Sequence, residues 1–187
     1  MSLSKIISKF SQNTNKKAYF STFDTPVGEA TAIADDEYLY LLCFEDTKNI
    51  EKKVESVSKE LKCKFVEEKN KTLVKFEEEL SDYFEGNLTQ FTVPVKTCGS
   101  EFQNSVWNKL LAVPYGTTQT YADMAKSLGR ASSHSRAVGS ACGANPLLLV
   151  VPCHRLVASG SNGGFSSGTD RKDKLLQHEN KFAKHVS

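Results

Sequence analysis

Short alternations of apolar and polar residues fill positions 18–46 and break at Thr25-Pro26-Val27-Gly28 and at Asp35-Asp36. A period of two bounded by turn residues predicts strands, here a small antiparallel sheet. The period then lengthens to that of helices over 48–62 and 71–85, where Leu73, Phe76, Leu80 and Phe84 share one face, with a brief strand over CKFVEE between them. The segment FTVPVKTCGS has no period, contains Pro94 and Gly99, and reads as the loop between a first domain, 18–98, and a second, 99–187. Ahead of the first strand, MSLSKIISKFSQNTNKK offers only Ile6-Ile7 as an apolar centre, too little for a secretory signal, so residues 1–17 are expected to be a flexible leader.

In the second half, Ser100 followed three residues later by Gln103 has the form of a capping box, and Phe102, Val106 and Leu110 continue it as one helical face. Pro114-Tyr115-Gly116 ends that helix. Thr120 to Asp123 repeats the box pattern ahead of YADMAKSLG, for which Gly129 is the expected stop, and a serine-rich turn leads to SHSRAVGSACG. Two short helices with a turn between them are either a helical hairpin or a helix-turn-helix. The second surrounds Arg136 with Ser135, Ala137, Gly139, Ser140, Ala141 and Gly143. Such a helix either packs tightly on a neighbour, with Arg136 in a surface ion pair, or lies in a groove of DNA.

Composition narrows the classes. With 187 residues, 39% apolar and 25% charged, the chain can bury a core, and no run approaches the roughly 20 apolar residues of a membrane helix. Five cysteines without a CxxC suggest neither a disulfide framework nor a zinc knuckle, and fit a reducing compartment inside the cell. The net charge of +2 is unevenly spread: residues 1–99 hold 14 basic and 17 acidic side chains, residues 100–187 hold 10 and 5. Positive charge gathered in the second half points to a polyanionic partner.

The remaining chemistry lies in VVPCHRLVASG. A thiol near neutral pH is mostly protonated, so a reactive Cys153 needs a base, and His154 is adjacent. If the apolar run Leu147–Val151 is a core strand, the two side chains point to opposite faces, and contact requires a turn after Pro152 or a bridging water. Glu179 falls on the apolar stripe of a terminal helix with Leu175 and Phe182, where an unpaired carboxylate is costly, and is the candidate to orient the imidazole. The alternatives are an inert buried cysteine and a structural salt bridge. Asn145-Pro146 joins the Arg136 helix to this run, and ASGSNGGFSSGTD follows it as a loop with one aromatic, Phe165, either closing over a planar ligand or merely flexible.

Pro152-Cys153-His154-Arg155, with Tyr121, Ser135 to Gly139, Asn145-Pro146 and His178-Glu179 in this order, resembles the O6-alkylguanine-DNA alkyltransferase family over about residues 100–180. The resemblance implies an α/β two-domain protein: an N-terminal ribonuclease-H-like antiparallel sheet with helices, then a mostly helical winged helix-turn-helix domain. It implies stoichiometric transfer of an alkyl group from O6-alkylguanine in double-stranded DNA to Cys153, with O4-alkylthymine a further candidate substrate. His154 would act through a water and be held by Glu179, Tyr121 would assist base rotation and protonate the departing guanine, and Asn145 would brace the hinge. Arg136 would fill the space left by the rotated base, with further DNA contacts at Tyr121, Ala122, Ala131 and Ser159 and a guanine pocket at Leu148, Leu156, Phe165 and Ser166. No cofactor is implied, and no metal site is expected, because the chain has no histidine before His134. The protein would act as a monomer, in the nucleus of a eukaryote or the cytoplasm of a prokaryote. The family usually has tyrosine at the position of Phe165 and glycine at that of Ser167, which leaves open the room for bulky adducts.

Overall fold

Residues 1–184 are described in a computed structural model, and they fall into two compact units, Met1–Cys98 and the residues from Gly99 on. In the first unit, strands β1 (Lys17–Thr25), β2 (Gly28–Ala34), β3 (Leu39–Phe44) and β4 (Lys64–Glu67) form one sheet in the order β3-β2-β1-β4. The β1–β2 hairpin closes at Thr25 opposite Gly28, whose φ of 124° suits a residue without Cβ. The first three strands pair antiparallel, but β4 runs parallel to β1, so the sheet is mixed where an antiparallel one was expected. The cause is the crossover: helix α2 (Ile50–Leu61) carries the chain from β3 to the far edge, and a helical crossover makes parallel pairing accessible. Helix α3 (Lys71–Phe84) follows, and Leu73, Phe76 and Leu80 of its anticipated face are buried.

The expected flexible leader is corrected. Residues Leu3–Lys9 form helix α1, and Leu3, Ile6 and Ile7 join Val54, Val57 and Leu61 of α2 in one apolar cluster. The i, i+3, i+4 spacing of these three residues makes a helical face that the Ile6-Ile7 pair alone conceals. The segment FTVPVKTCGS is not free either. Glu79 accepts hydrogen bonds from the Thr92 hydroxyl and the Thr92 and Val93 amides, and the Leu39 amide donates to the Pro94 carbonyl while Lys96 donates back to Leu39. The segment covers the outer edge of β3, which would otherwise expose unpaired backbone groups.

The second unit holds helices α4 (Glu101–Leu110), α5 (Tyr121–Ser127), α6 (Ser135–Gly143) and α7 (Thr169–Ala183), with a two-residue parallel pair between β5 (Gln119–Thr120) and β6 (Leu156–Val157). Ser100 and Gln103 form both halves of a capping box at the start of α4. Thr120 caps α5 by accepting the Asp123 amide, and Gly129, at φ 72°, follows the end of that helix. Trp107 is buried in α4 and donates its indole N–H to the Ala141 carbonyl at 2.8 Å, fixing α4 against α6. Among the described residues no helix is long and apolar enough to cross a membrane.

Candidate active site and the exposed Arg136 helix

The connector after α6 is where the sequence pattern misleads. Leu147–Val151 is a buried turn, not a strand: the Val151 amide donates to Leu147, the Val150 amide to Leu148, and Leu149 has φ 73°. A short buried apolar run has the same appearance in sequence whether it is extended or coiled into a turn. Asn145, fully buried, stitches this turn together. Its Oδ1 accepts the Leu147 amide at 2.9 Å, while Nδ2 lies 2.8 Å from the Val151 carbonyl and 3.2 Å from Cys153 Sγ. After Pro152 the chain makes one 3₁₀ turn over Cys153–Arg155. That turn removes the strand geometry that would send Cys153 and His154 to opposite faces.

Cys153 retains 3% of its surface, and His154 is wholly enclosed. His154 Nε2 lies 2.7 Å from Glu179 Oε1, joining the Cys153–Arg155 turn to α7, and the imidazole Nδ1 is buried without a hydrogen-bond partner among the described residues. Burial pushes the His154 pKa down, against the pull of Glu179. Burial alone would raise Glu179, but His154 and Arg155 overcome it and hold its carboxyl well below the usual carboxylate range. Arg155 makes a two-pronged contact with that carboxylate, Nε to Oε2 and Nη2 to Oε1, both at 2.9 Å.

A second cluster forms around Lys172, which is fully buried on α7. Its Nζ donates to the Leu156 carbonyl at 2.6 Å, the Gly164 carbonyl at 3.0 Å and Tyr121 Oη at 3.3 Å. Burial pushes Lys172 down, and burial first, then Cys142 and Cys153, pushes Tyr121 up to about 12. The phenol therefore keeps its proton at neutral pH. Gly163, at φ 72°, brings the following loop against Tyr121, since a Cβ there would come within 2.9 Å of the phenol oxygen. Phe165 is half-buried and the buried Ser166 Oγ has no hydrogen-bond partner among the described residues. Lys172 thus gathers Tyr121, Leu156 and the start of the Phe165 loop. Leu148 is buried in the turn over Leu147–Val151.

Sequence reasoning missed Arg155 and Lys172 as site residues. A signal for Lys172 was present: with Leu175 and Glu179 it keeps i, i+3, i+7 spacing, which places a lysine on the buried stripe of α7. Gly116 was anticipated only as a helix stop, yet its amide approaches Glu179 Oε2 at 3.4 Å. Among the described residues there is no group of three or more His, Cys, Asp or Glu side chains suited to a metal ion.

On the other side of the connector, α5 and α6 are joined by a 3₁₀ turn over Ser132–His134. Arg136 is exposed near the start of α6 and makes no ion pair among the described residues. A methyl group at Gly139 or Gly143 would meet open space, so packing within this unit does not require small residues there. Ala131 and Ser159 are exposed and Ala122 is half-buried.

Family models for 6-O-methylguanine DNA methyltransferase match the chain twice: the ribonuclease-like domain over residues 18–97 and the DNA-binding domain over 101–181. A methylated-DNA-protein-cysteine methyltransferase of Methanosarcina acetivorans is 39% identical over 163 residues, 86% of this chain and 97% of that protein. The inducible methylated-DNA-protein-cysteine methyltransferase of Bacillus subtilis is 42% identical over 109 residues, a match spanning 58% of this chain and 60% of the relative. The fold is similar to the crystal structure of Mycobacterium tuberculosis OGT in complex with DNA, with a TM-score of 0.75, 30% identity, and coverage of 88% of this chain and 94% of that one.

Proposed function

The chain belongs to the 6-O-methylguanine DNA methyltransferase family, and from that premise we propose that it repairs DNA by moving the alkyl group of O6-alkylguanine onto Cys153. The observation that carries this reading is the junction of Cys153, Asn145, His154 and Glu179 at one turn, in the unit whose helix α6 exposes Arg136. The thiol proton passes to His154 Nδ1 through a water, the thiolate attacks the alkyl carbon in line, the S–C bond forms and the C–O6 bond breaks. The departing guanine anion takes a proton from Tyr121, and the Lys172 amine, 3.3 Å from the phenol oxygen, donates to the phenolate that results. A thioether has no facile way back, so each molecule reacts once.

The depth of the acceptor supports base extrusion. A cysteine that retains 3% of its surface does not reach a guanine stacked in a duplex, whereas a nucleotide rotated out of the stack can be brought to it. In this reading α6 lies in the minor groove with its small residues against the backbone, and Arg136 occupies the vacated space. Ala122, Ala131 and Ser159 are its neighbours on the DNA side, and Leu148, Leu156, Phe165 and Ser166 receive the guanine. The substrate is thus double-stranded DNA, and O4-alkylthymine is the further pyrimidine candidate.

Incubation with DNA containing O6-methylguanine tests the reading. The Cys153 peptide should gain the mass of one methyl group, product should plateau at one methyl per protein, and Cys153→Ala should still bind DNA but transfer nothing. Continued turnover, or an unmodified peptide beside intact lesions, would reject it.

A further inference from the structure

Glu179 poses an electrostatic problem that the thiol, imidazole and carboxylate alone do not solve. A buried carboxylate with one imidazole neighbour favours the imidazolium, since the ion pair compensates both charges. An imidazolium has no lone pair and cannot accept the thiol proton. We propose that Arg155 is a positioning residue that neutralises Glu179, so that the carboxylate orients His154 without protonating it and the Nδ1 lone pair stays available. The inference rests on the reading of His154 as the base for Cys153.

The geometry fits this division of labour. Arg155 presents Nε to Oε2 and Nη2 to Oε1, each at 2.9 Å, and its remaining Nη1 is held by the Val113 carbonyl at 2.8 Å. The Tyr115 ring faces the guanidinium at 5.6 Å, and the Gly116 amide approaches Glu179 Oε2. The turn after α4 therefore supports both members of the Arg155–Glu179 pair. His154 shares Oε1 with Arg155, and because that oxygen belongs to an ionised carboxylate it must receive N–H from Nε2. The tautomer with its lone pair on Nδ1 follows.

The charged groups around His154 settle the sign. Glu179 contributes one negative charge from α7, while Lys172 from the same helix and Arg155 from the Cys153–Arg155 turn contribute two positive ones. Tyr115 faces Glu179 and Arg155 as a neutral phenol, its pKa raised to about 12 by burial, and Cys153, Cys142 and Tyr121 face Lys172. Asp173 acts on Lys172 from the same helix, but Glu179 is the one carboxylate that acts on His154, so protonating the imidazole would add a positive charge beside two cations and a single carboxylate. Both Arg155 and Lys172 oppose that step, and Glu179 favours it. Removing Arg155 leaves Glu179 the nearer and dominant neighbour.

The test is ¹⁵N NMR of histidine-labelled protein across pH, with His154 identified by the signals lost in His154→Asn. In the wild type, His154 should remain neutral with its proton on Nε2 at pH 7. In Arg155→Met its titration should move up by at least about one pH unit, the size expected when a carboxylate loses its other partner. Arg155→Lys keeps the charge but not the fork, and should move less. Arg155→Met combined with Glu179→Gln removes both charges and should restore a neutral imidazole, which also covers the case in which the single variant does not fold. The acid limb of the methyl-transfer rate should move with the NMR titration in Arg155→Lys. An unchanged titration in folded Arg155→Met, or a double variant titrating well above the wild type, overturns the proposal. The NMR readout does not depend on transfer, so a wild type that leaves O6-methylguanine intact would sink the functional reading and leave this test standing.

Discussion

At the scale of single residues, the buried trio of His154, Arg155 and Glu179 makes acid the natural denaturant of the second unit. His154 has a depressed pKa in the folded protein, so as pH falls below about 6.5 the unfolded chain binds a proton that the folded one refuses. Glu179 is also depressed, and its contribution is complete above about 4.3 and is lost as pH falls further. Both signs agree: the urea midpoint should fall in two stages between pH 7 and 3, and Glu179→Gln should lack the lower stage. Cys153, His154 and Glu179 were legible in the sequence because each type is conspicuous where it stands, a thiol beside an imidazole and a carboxylate on an apolar stripe. Arg155 and Lys172 were not, because in sequence a lysine or arginine reads by default as solvated, and only the tertiary fold decides which one lies inside.

Elements were legible where period and cap coincide. Helix α4 is announced by Ser100 and Gln103, α5 by Thr120 and Gly129, and the β1–β2 hairpin by Thr25 to Gly28. They misled where one signal stood alone, as in the apolar run 147–151 and in α1, whose face is a single turn of three residues. Ile7 is fully buried in that helix, so Ile7→Ala should lower stability by about 2–5 kcal/mol in urea unfolding, the range for emptying such a site. A leader without structure would show no change. The turn after α4 offers a second measurement. A Cβ at Gly116 would lie 2.4 Å from Ala183 Cβ, and φ there is 75°, so Gly116→Ala should cost more than about 1 kcal/mol and slow transfer by displacing Glu179. Stability lost with an unchanged transfer rate would confine Gly116 to packing.

For the molecule as a whole, the two units were marked in the sequence by a change of charge as much as by a loop. The excess of basic residues after position 100 coincides with the unit that carries α6, and affinity for DNA should fall steeply as salt is raised. Arg136→Ala should slow repair in duplex DNA far more than reaction with free O6-benzylguanine, because a free base needs no extrusion; equal losses in the two assays would contradict the proposal that Arg136 occupies the vacated space. What the sequence left unread at this scale is the grouping around Lys172, which draws on α5, β6, the loop after it and α7. No window of residues contains that cluster.

The contact between Gly163 and Tyr121 carries one last implication. The loop reaches the phenol only because a single carbon is missing at position 163; restore that carbon and the strand of chain above the tyrosine has to ride higher. How closely this protein wraps whatever rests on Tyr121 is thus set by an atom it does without.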